Sequence, residues 1–453
     1  MIRLAVHQEV VDALLLHLQA AAPDEEGAFC LLREGRGRKD LRLLAAEVLL
    51  PGPDDWDIQN PGQLQPGAVY CSRAISHAIN QGAGLLFIHS HPDPRYPVGL
   101  SPTDVNAVQA LGQEFQHLVD GPFGAIVVSP NGWAGVLWTA DGLVPIDRIW
   151  GVGRTLTLLS PLPHIHEQPA DARQRCALGD IQDVIRLLDM GVVSAGGLGS
   201  PSVEQLVRMG VNSVVVIDND HLDTPSNVRR VFGSRMRDLS RDPPPLKVDV
   251  VGDHVDDLGF DVKVVRVPKD VRTEDAFRSL LDCDAVLCGT DTHGSRAIIN
   301  ELPSVYLLPV IDVGVRVSAR AGPTLAGLVA EVRVLTPVTP CLWCRKTINA
   351  DMIRIENLPA EERARLAREG YVIDGIGEPA PSVIALTVLG SGLGTCALLT
   401  MLSEDGSVVP PGYIVDGFLG DAIISQPYDP KSSCRCQQRL GRGDTKPPGF
   451  LRG

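Results

Sequence analysis

Residues 191–210, GVVSAGGLGSPSVEQLVRMG, join the end of an apolar strand to a helix through a turn with three glycines, Gly196, Gly197 and Gly199. Glycine lets the backbone approach a phosphate, and the helix start offers unpaired N–H groups to it. About 20 residues further on, VNSVVVI ends in Asp218, where a carboxylate can accept from ribose hydroxyls. This much suits NAD as well as ATP. Outward from the turn, strands alternate with helices: VNSVVVIDND, FDVKVVRV, DAVLCGTD and VYLLPVIDVG. That alternation predicts an α/β, doubly wound, mostly parallel sheet from about Arg173.

The 453 residues exceed one ordinary core, and domain size predicts two or three. Hydrophobic residues make up 44% and charged residues 21%, and no apolar run is expected to reach the roughly 18 to 20 residues of a membrane span. The N-terminal stretch lacks a secretory pattern, so a cytoplasmic protein with no membrane partner is expected. With 41 basic against 55 acidic side chains the formal charge is −14, which argues against a nucleic-acid partner. Ten cysteines in such a chain read as thiols or metal ligands.

Before the α/β half the pattern differs. Apolar positions from Leu4 to Leu18 recur at helical spacing and predict a helix over residues 4–21. Strand-like runs follow at 28–32, 41–50, 84–90, 124–129 and 133–139, with a helix between Thr103 and Leu118. These predict a small α+β domain over 1–150. The proline-rich, aperiodic SPLPHIHEQPADA (160–172) places a linker at 151–172, and the second domain occupies 173–453.

The first domain carries HSHPDPRYPVGLSPTD, residues 89–104. His89 and His91 alternate onto one face at a strand end, and a helix opening near Ser101 can bring the Asp104 carboxylate to them. Two imidazoles, one carboxylate and a water make a catalytic zinc site, which still needs a second carboxylate as general base. The pattern resembles the JAMM (MPN+, JAB, Mov34-like) zinc metalloproteases in His89, His91, Pro92, Ser101 and Asp104, with nine residues between His91 and Ser101 where the family usually has seven. The resemblance implies Glu26 as the base, with Glu25 its rival and Glu47 a third choice, and Ser101 holding the oxyanion.

In the second domain the order Asp218, Asn227, Arg230, Lys247, Asp291, Arg296 resembles the ThiF/MoeB/ubiquitin-activating family. The resemblance implies a Rossmann-like fold that adenylates the C-terminal carboxylate of a ubiquitin-like or sulfur-carrier protein with a Gly-ending tail. In it Asp218 holds ribose, Asn227, Arg230 and Lys247 hold the triphosphate of ATP, and Asp291 holds Mg. It also implies a homodimer through this domain, Arg173 reaching the partner's ATP. Ser194 stands where the family has its first loop glycine, and Thr292 where an asparagine commonly follows the magnesium aspartate.

Cys341 and Cys344 form a CxxC, and Cys434 and Cys436 a CxC; four thiolates predict a structural zinc knuckle in the C-terminal segment, with a redox CxxC the competing idea. Cys176, Cys283, Cys288 and Cys396 read as core packing. No cysteine falls between 345 and 395, so adenylation without an enzyme thioester is expected. Two other readings stand beside this one: a metallopeptidase whose second domain is only a nucleotide- or substrate-binding scaffold, and a Rossmann oxidoreductase with an attached metal domain.

Overall fold

The chain begins in a strand rather than a helix. Leu4, Ala5 and Val6 are fully buried in β1 (Ile2–His7), which runs parallel to both its neighbours, so the apolar spacing expected of a helix is here the double-sided burial of an interior strand. The helix follows as α1 (Gln8–Ala20), entered through His7, whose ring nitrogen accepts from the Glu9 amide. The computed structural model describes residues 1–95, 97–165, 168–320, 324–368, 381–403, 412–417, 420–424 and 430–448.

The chain divides into two units. The first comprises Met1–His166, Ser304–Leu307 and Arg439–Pro447. Its elements are β2 (Gly27–Arg36), β3 (Leu41–Leu49), the hairpin β4 (Trp56–Asn60) and β5 (Gln63–Pro66), α2 (Ala68–Gln81), β6 (Gly84–Ser90), α3 (Pro102–Phe115), β7 (Phe123–Ser129), β8 (Gly132–Thr139), β9 (Gly142–Pro145), β10 (Arg148–Val152) and β11 (Leu156–Leu158). Nine strands form one mixed sheet in the order β11-β10-β1-β3-β2-β6-β7-β8-β9, with β4 and β5 paired apart from it. Alternation along β2 sends Ala28, Cys30 and Leu32 into a core with α1, and Phe29 and Leu31 into a second core with Tyr70, Ala74 and Ala78 of α2 and Val108 and Phe115 of α3. The sheet continues past Trp150 to Leu158, so the expected linker at 151–172 begins inside β10; residues 166 and 167 of that linker lie outside the described residues.

The second unit contains α4 (Ala172–Leu178), α5 (Ile181–Leu187), β12 (Asp189–Val193), α6 (Gly199–Met209), β13 (Ser213–Ile217), α7 (Pro225–Val228), α8 (Lys247–Leu258), β14 (Lys263–Val267), α9 (Glu274–Leu280), β15 (Ala285–Cys288), α10 (His293–Ile299), α11 (Glu301–Val305), which runs into the first unit, β16 (Val310–Arg320), β17 (Thr324–Leu335), α12 (Ala350–Glu356), α13 (Ala360–Arg368), α14 (Ile384–Met401), β18 (Gly412–Asp416) and β19 (Asp421–Ile424). The sheet order is β14-β13-β12-β15-β16-β17-β18-β19. The first five strands are parallel and the last three join antiparallel, a larger antiparallel share than expected. Between β13 and β15, β12 marks the point where strand order reverses, which is where such sheets bind ligands beyond their carboxyl ends.

The expectation that no segment is long and apolar enough to cross a membrane is corrected by α14, whose 18 residues have a mean hydropathy of 1.8. Half of α14 is buried, packed on α6, β16 and β17.

Within the first unit, Asp444 fastens residues 439–447: its carboxylate accepts from the Arg36 amide and from the Tyr306 hydroxyl, each at 2.9 Å. Asp444→Ala takes this acceptor from a fully buried tyrosine. It is expected to cost about 1–3 kcal/mol, read as a lower denaturation midpoint for the unit that contains Trp150.

Candidate functional site

His89 ends β6 with its ring stacked on Phe87 at 5.5 Å. His91 follows, its amide bonded to the Val128 carbonyl, and the two imidazoles meet edge to face at 5.0 Å. Ser101 caps α3 in a capping box: its hydroxyl accepts from the Asp104 amide at 3.2 Å, and Asp104 Oδ2 accepts from the Ser101 amide at 2.7 Å. The cap aims the carboxylate at the histidines, with Oδ1 3.4 Å from His89 Nε2 and Oδ2 3.4 Å from His91 Nε2.

Both ring nitrogens of His89 are buried; among the described residues Nδ1 has no hydrogen-bond partner, and Nε2 has only the Asp104 carboxylate, at 3.4 Å. Zinc bonded at 2.0–2.1 Å separates tetrahedral N and O ligands by roughly 3.3 Å; each imidazole here stands 3.4 Å from an Asp104 oxygen, and the three donors lie within 4.8 Å of one another. Burial would raise the Asp104 carboxyl, but the two imidazoles and Ser101 hold it far below the usual range.

The carboxylate beside this triad is Glu25, not Glu26. Glu25 Oε1 lies 3.9 Å from His91 Nε2, and burial raises its pKa against the pull of His91 and His89. Successive side chains entering β2 point to opposite sides, so Glu26 turns away: its Oε1 accepts from Gly27 N at 2.9 Å and its Oε2 from Gln59 Nε2 at 2.9 Å. Glu47 pairs with His77 at 2.7 Å, outside the triad. The Ser101 oxygen accepts in the cap, which leaves its hydroxyl hydrogen to donate elsewhere.

In the second unit the loop after β12 carries the expected strain. Ser194 sits at φ 99°, a left-handed conformation that favours glycine, and its hydroxyl accepts from the Gly196 amide at 3.1 Å. Gly199 has no room for a side chain, since a Cβ there would meet the Ser194 carbonyl oxygen at 1.6 Å. Asp218 ends the neighbouring strand and accepts from the amides of Ala195 (2.7 Å) and Asp220 (2.8 Å), leaving further lone pairs on each oxygen. Burial raises its pKa, offset by the Ala195 amide and Lys247.

Arg230 stands over the loop, its Cβ 3.4 Å from where a Cβ on Gly197 would lie, and donates to Asn227 Oδ1 at 3.1 Å. Lys247 begins α8 and pairs with Asp220 at 2.6 Å. Asp291 is exposed just past β15, whose next residue, Gly289, donates to the Val193 carbonyl at the end of β12. Thr292 caps α10, and Glu356 accepts from the next two amides, His293 and Gly294. Arg173 is exposed on α4, and among the described residues no hydrogen bond or ion pair ties it to the loop.

Cys341 Sγ lies 3.6 Å from both Cys344 and Cys434, and Cys344 4.0 Å from Cys436. Zinc–sulfur bonds of 2.3 Å give a tetrahedral edge of about 3.8 Å, so CxC closes the set as well as a second CxxC would. Donation from Cys436 brings the Cys341 thiol down to about 5, whereas Cys436 is pushed up. Cys283 and Cys288 are buried as expected, but Cys176 and Cys396 are exposed on their helices, not packed.

Sequence reasoning passed over Gln59, Ser90, Asp220 and Glu356. Only Asp220 carried a signal, its place two residues after Asp218. Asp312 was also missed: fully buried on β16, it accepts from Arg296 Nε at 3.2 Å and Arg333 Nη1 at 2.6 Å.

Five parallel strands with a glycine loop and an acidic residue at the switch point make the arrangement by which α/β sheets bind ligands beyond their carboxyl ends. The ThiF family model matches residues 172–403, more than half of the chain, which therefore belongs to the ThiF family. Among similar proteins, the adenylyltransferase and sulfurtransferase UBA4 of Meyerozyma guilliermondii is 32% identical over 121 residues, 27% of either chain. The sulfur carrier protein ThiS adenylyltransferase of Bacillus subtilis is 27% identical over 153 residues, 34% of this chain and 42% of the relative. The match thus spans about a quarter to two fifths of the length of these relatives. A structure of E. coli MccB with ATP overlays 61% of this chain and 76% of its own at a TM-score of 0.44 and 12% identity.

Gly199→Ala is expected to lower stability by at least about 2 kcal/mol, because the new methyl must displace the Ser194 carbonyl. Chemical denaturation of the full chain checks this.

Proposed function

We propose that the second unit adenylates the C-terminal carboxylate of a small ubiquitin-like or sulfur-carrier protein with a Gly-ending tail, and that the first is a JAMM-type zinc (iso)peptidase acting on such tails, both in the cytoplasm. Membership of the ThiF family over residues 172–403 carries the first half. The UBA4 and ThiS adenylyltransferase relatives are named for the same reaction type.

ATP and Mg, when bound, supply an electrophilic α-phosphate and a pyrophosphate leaving group. Asp218 offers its remaining lone pairs to the ribose hydroxyls. Arg230 and Lys247 provide the positive charge that a triphosphate needs, and Lys247 must exchange Asp220 for phosphate to do so. Asp291 is the carboxylate suited to hold Mg, and Arg173 reaches across a homodimer to the partner's nucleotide. An oxygen of the carrier's carboxylate then replaces pyrophosphate on the α-phosphorus, giving an acyl-adenylate. A specific pair of observations, the strained Ser194 and the Lys247–Asp220 pair, favours the second reading, in which this unit only binds nucleotide or substrate. Pyrophosphate exchange separates the two.

In the first unit His89, His91 and Asp104 would hold zinc, which when bound polarises a carbonyl and acidifies water. Glu25 takes a proton from the attacking water and returns it to the departing amine. A second, structural zinc would sit among Cys341, Cys344, Cys434 and Cys436.

Full-length protein is expected to hold two zinc ions per chain, measured by metal analysis, and one after either Asp104→Ala or Cys436→Ser. Glu25→Gln keeps both ions yet lowers cleavage of a carrier fusion by about 10²–10⁴-fold, a loss that Glu26→Gln does not reach. An equal or larger loss at Glu26 refutes the assignment of the base.

Asp291→Ala and Arg173→Ala are each expected to abolish carrier-dependent pyrophosphate exchange, and mixing the two inactive chains to restore part of it. No recovery in verified mixed dimers removes Arg173 from the partner's site.

A further inference from the structure

Glu26 has no part in the triad, yet it is buried and its polar atoms are engaged. Its amide donates to Ser90 Oγ at 3.0 Å and its carbonyl accepts from the Ser90 amide at 2.8 Å, tying it to the residue between His89 and His91. Its Oε1, besides accepting from Gly27 N, lies 3.3 Å from His17 Nε2. Its Oε2 fixes the side-chain amide of Gln59, and the same Gln59 Nε2 donates to the Glu25 carbonyl at 3.2 Å. An amide nitrogen carries two hydrogens, so these two bonds use both. The Glu25 amide in turn donates to the Asn60 carbonyl at 3.1 Å.

Glu25 is therefore held through its backbone: its N–H on Asn60, its C=O on Gln59, and the next N–H on Ser90. Gln59 and Asn60 close strand β4, which belongs to the hairpin outside the large sheet, and Gln59 is an exposed residue whose bonds to Glu25 and Glu26 are part-buried. An exposed glutamine spending both amide hydrogens on the residues at a reactive carboxylate contributes little to the core.

We propose that Gln59 is a positioning residue for Glu25: its amide, held by the Glu26 carboxylate, fixes the backbone that keeps the Glu25 carboxylate beside His91. This rests on the peptidase reading of the His89 site. Without the clamp the segment before β2 can shift, and a displacement of about 1 Å at a catalytic group costs up to about 10²-fold in rate.

The test uses zinc-loaded full-length protein and a carrier fusion. Gln59→Glu keeps the side chain's shape but turns an acceptor towards Glu26 and the Glu25 carbonyl. It is expected to lower kcat by about 10- to 100-fold with KM changed by less than about twofold and zinc content unchanged. Hydrogen exchange at the Glu25 and Glu26 amides should quicken in protein with and without zinc. Gln59→Ala gives a smaller shift of the same kind. Placed in Glu25→Gln protein, Gln59→Glu should add less than about a twofold loss, because the group it positions is already gone. Losses that multiply, or an unchanged kcat and exchange rate, overturn the positioning role alone. Wild-type protein that cleaves no carrier fusion overturns the peptidase reading itself.

Discussion

A strand buried on both faces has to give up its last backbone groups to something polar, and both candidate sites grow from that constraint. Beyond the end of β6 the Asp104 carboxylate completes the capping box that Ser101 opens on α3 and faces His89 and His91 at 3.4 Å each. One side chain thus sets the helix start and the third corner of the triad together. His89 Nδ1 is buried without a hydrogen-bond partner among the described residues, an arrangement that is costly for a polar atom. The same strand end, through Ser90, anchors Glu26 and so the segment that carries Glu25.

At the end of β12 the solution differs. The chain turns through Ser194 at positive φ and enters α6 at Gly199 against the Ser194 carbonyl, with the Ala195 amide donating to Asp218 and the Gly196 amide to the Ser194 hydroxyl. A serine in a glycine conformation costs of the order of 1 kcal/mol, part of which its hydroxyl offsets by accepting from Gly196. Lys247 is already paired with Asp220, so any other anion taken there would have to displace that carboxylate.

Chemistry carried by residue type and spacing was legible beforehand. His89, His91 and Asp104 converge, Cys341, Cys344, Cys434 and Cys436 converge despite the shortened second pair, and the loop, Asp218 and Arg230 gather at one sheet edge. Less legible were choices that depend on facing. Glu25 and Glu26 are chemically identical neighbours, and only the phase of the strand they enter decides which one meets His91. Leu4 and Val6 fit a helix by spacing and a buried strand by environment. Cys396 sits in apolar-looking sequence and Cys176 beside an apolar pair, yet both are exposed on their helices.

The sequence by itself determined the parallel strands of the second unit, the glycine loop and the residue types that gather in each cluster, because these follow from local periodicity and from functional groups that few residue types supply. Tertiary structure alone decided which carboxylate serves the triad, that Gln59 from a separate hairpin holds the Glu25 carbonyl, and that residues 439–447 return to the first unit. Each of these joins residues distant in the chain through one or two hydrogen bonds, and such pairings leave no period or composition from which to read them.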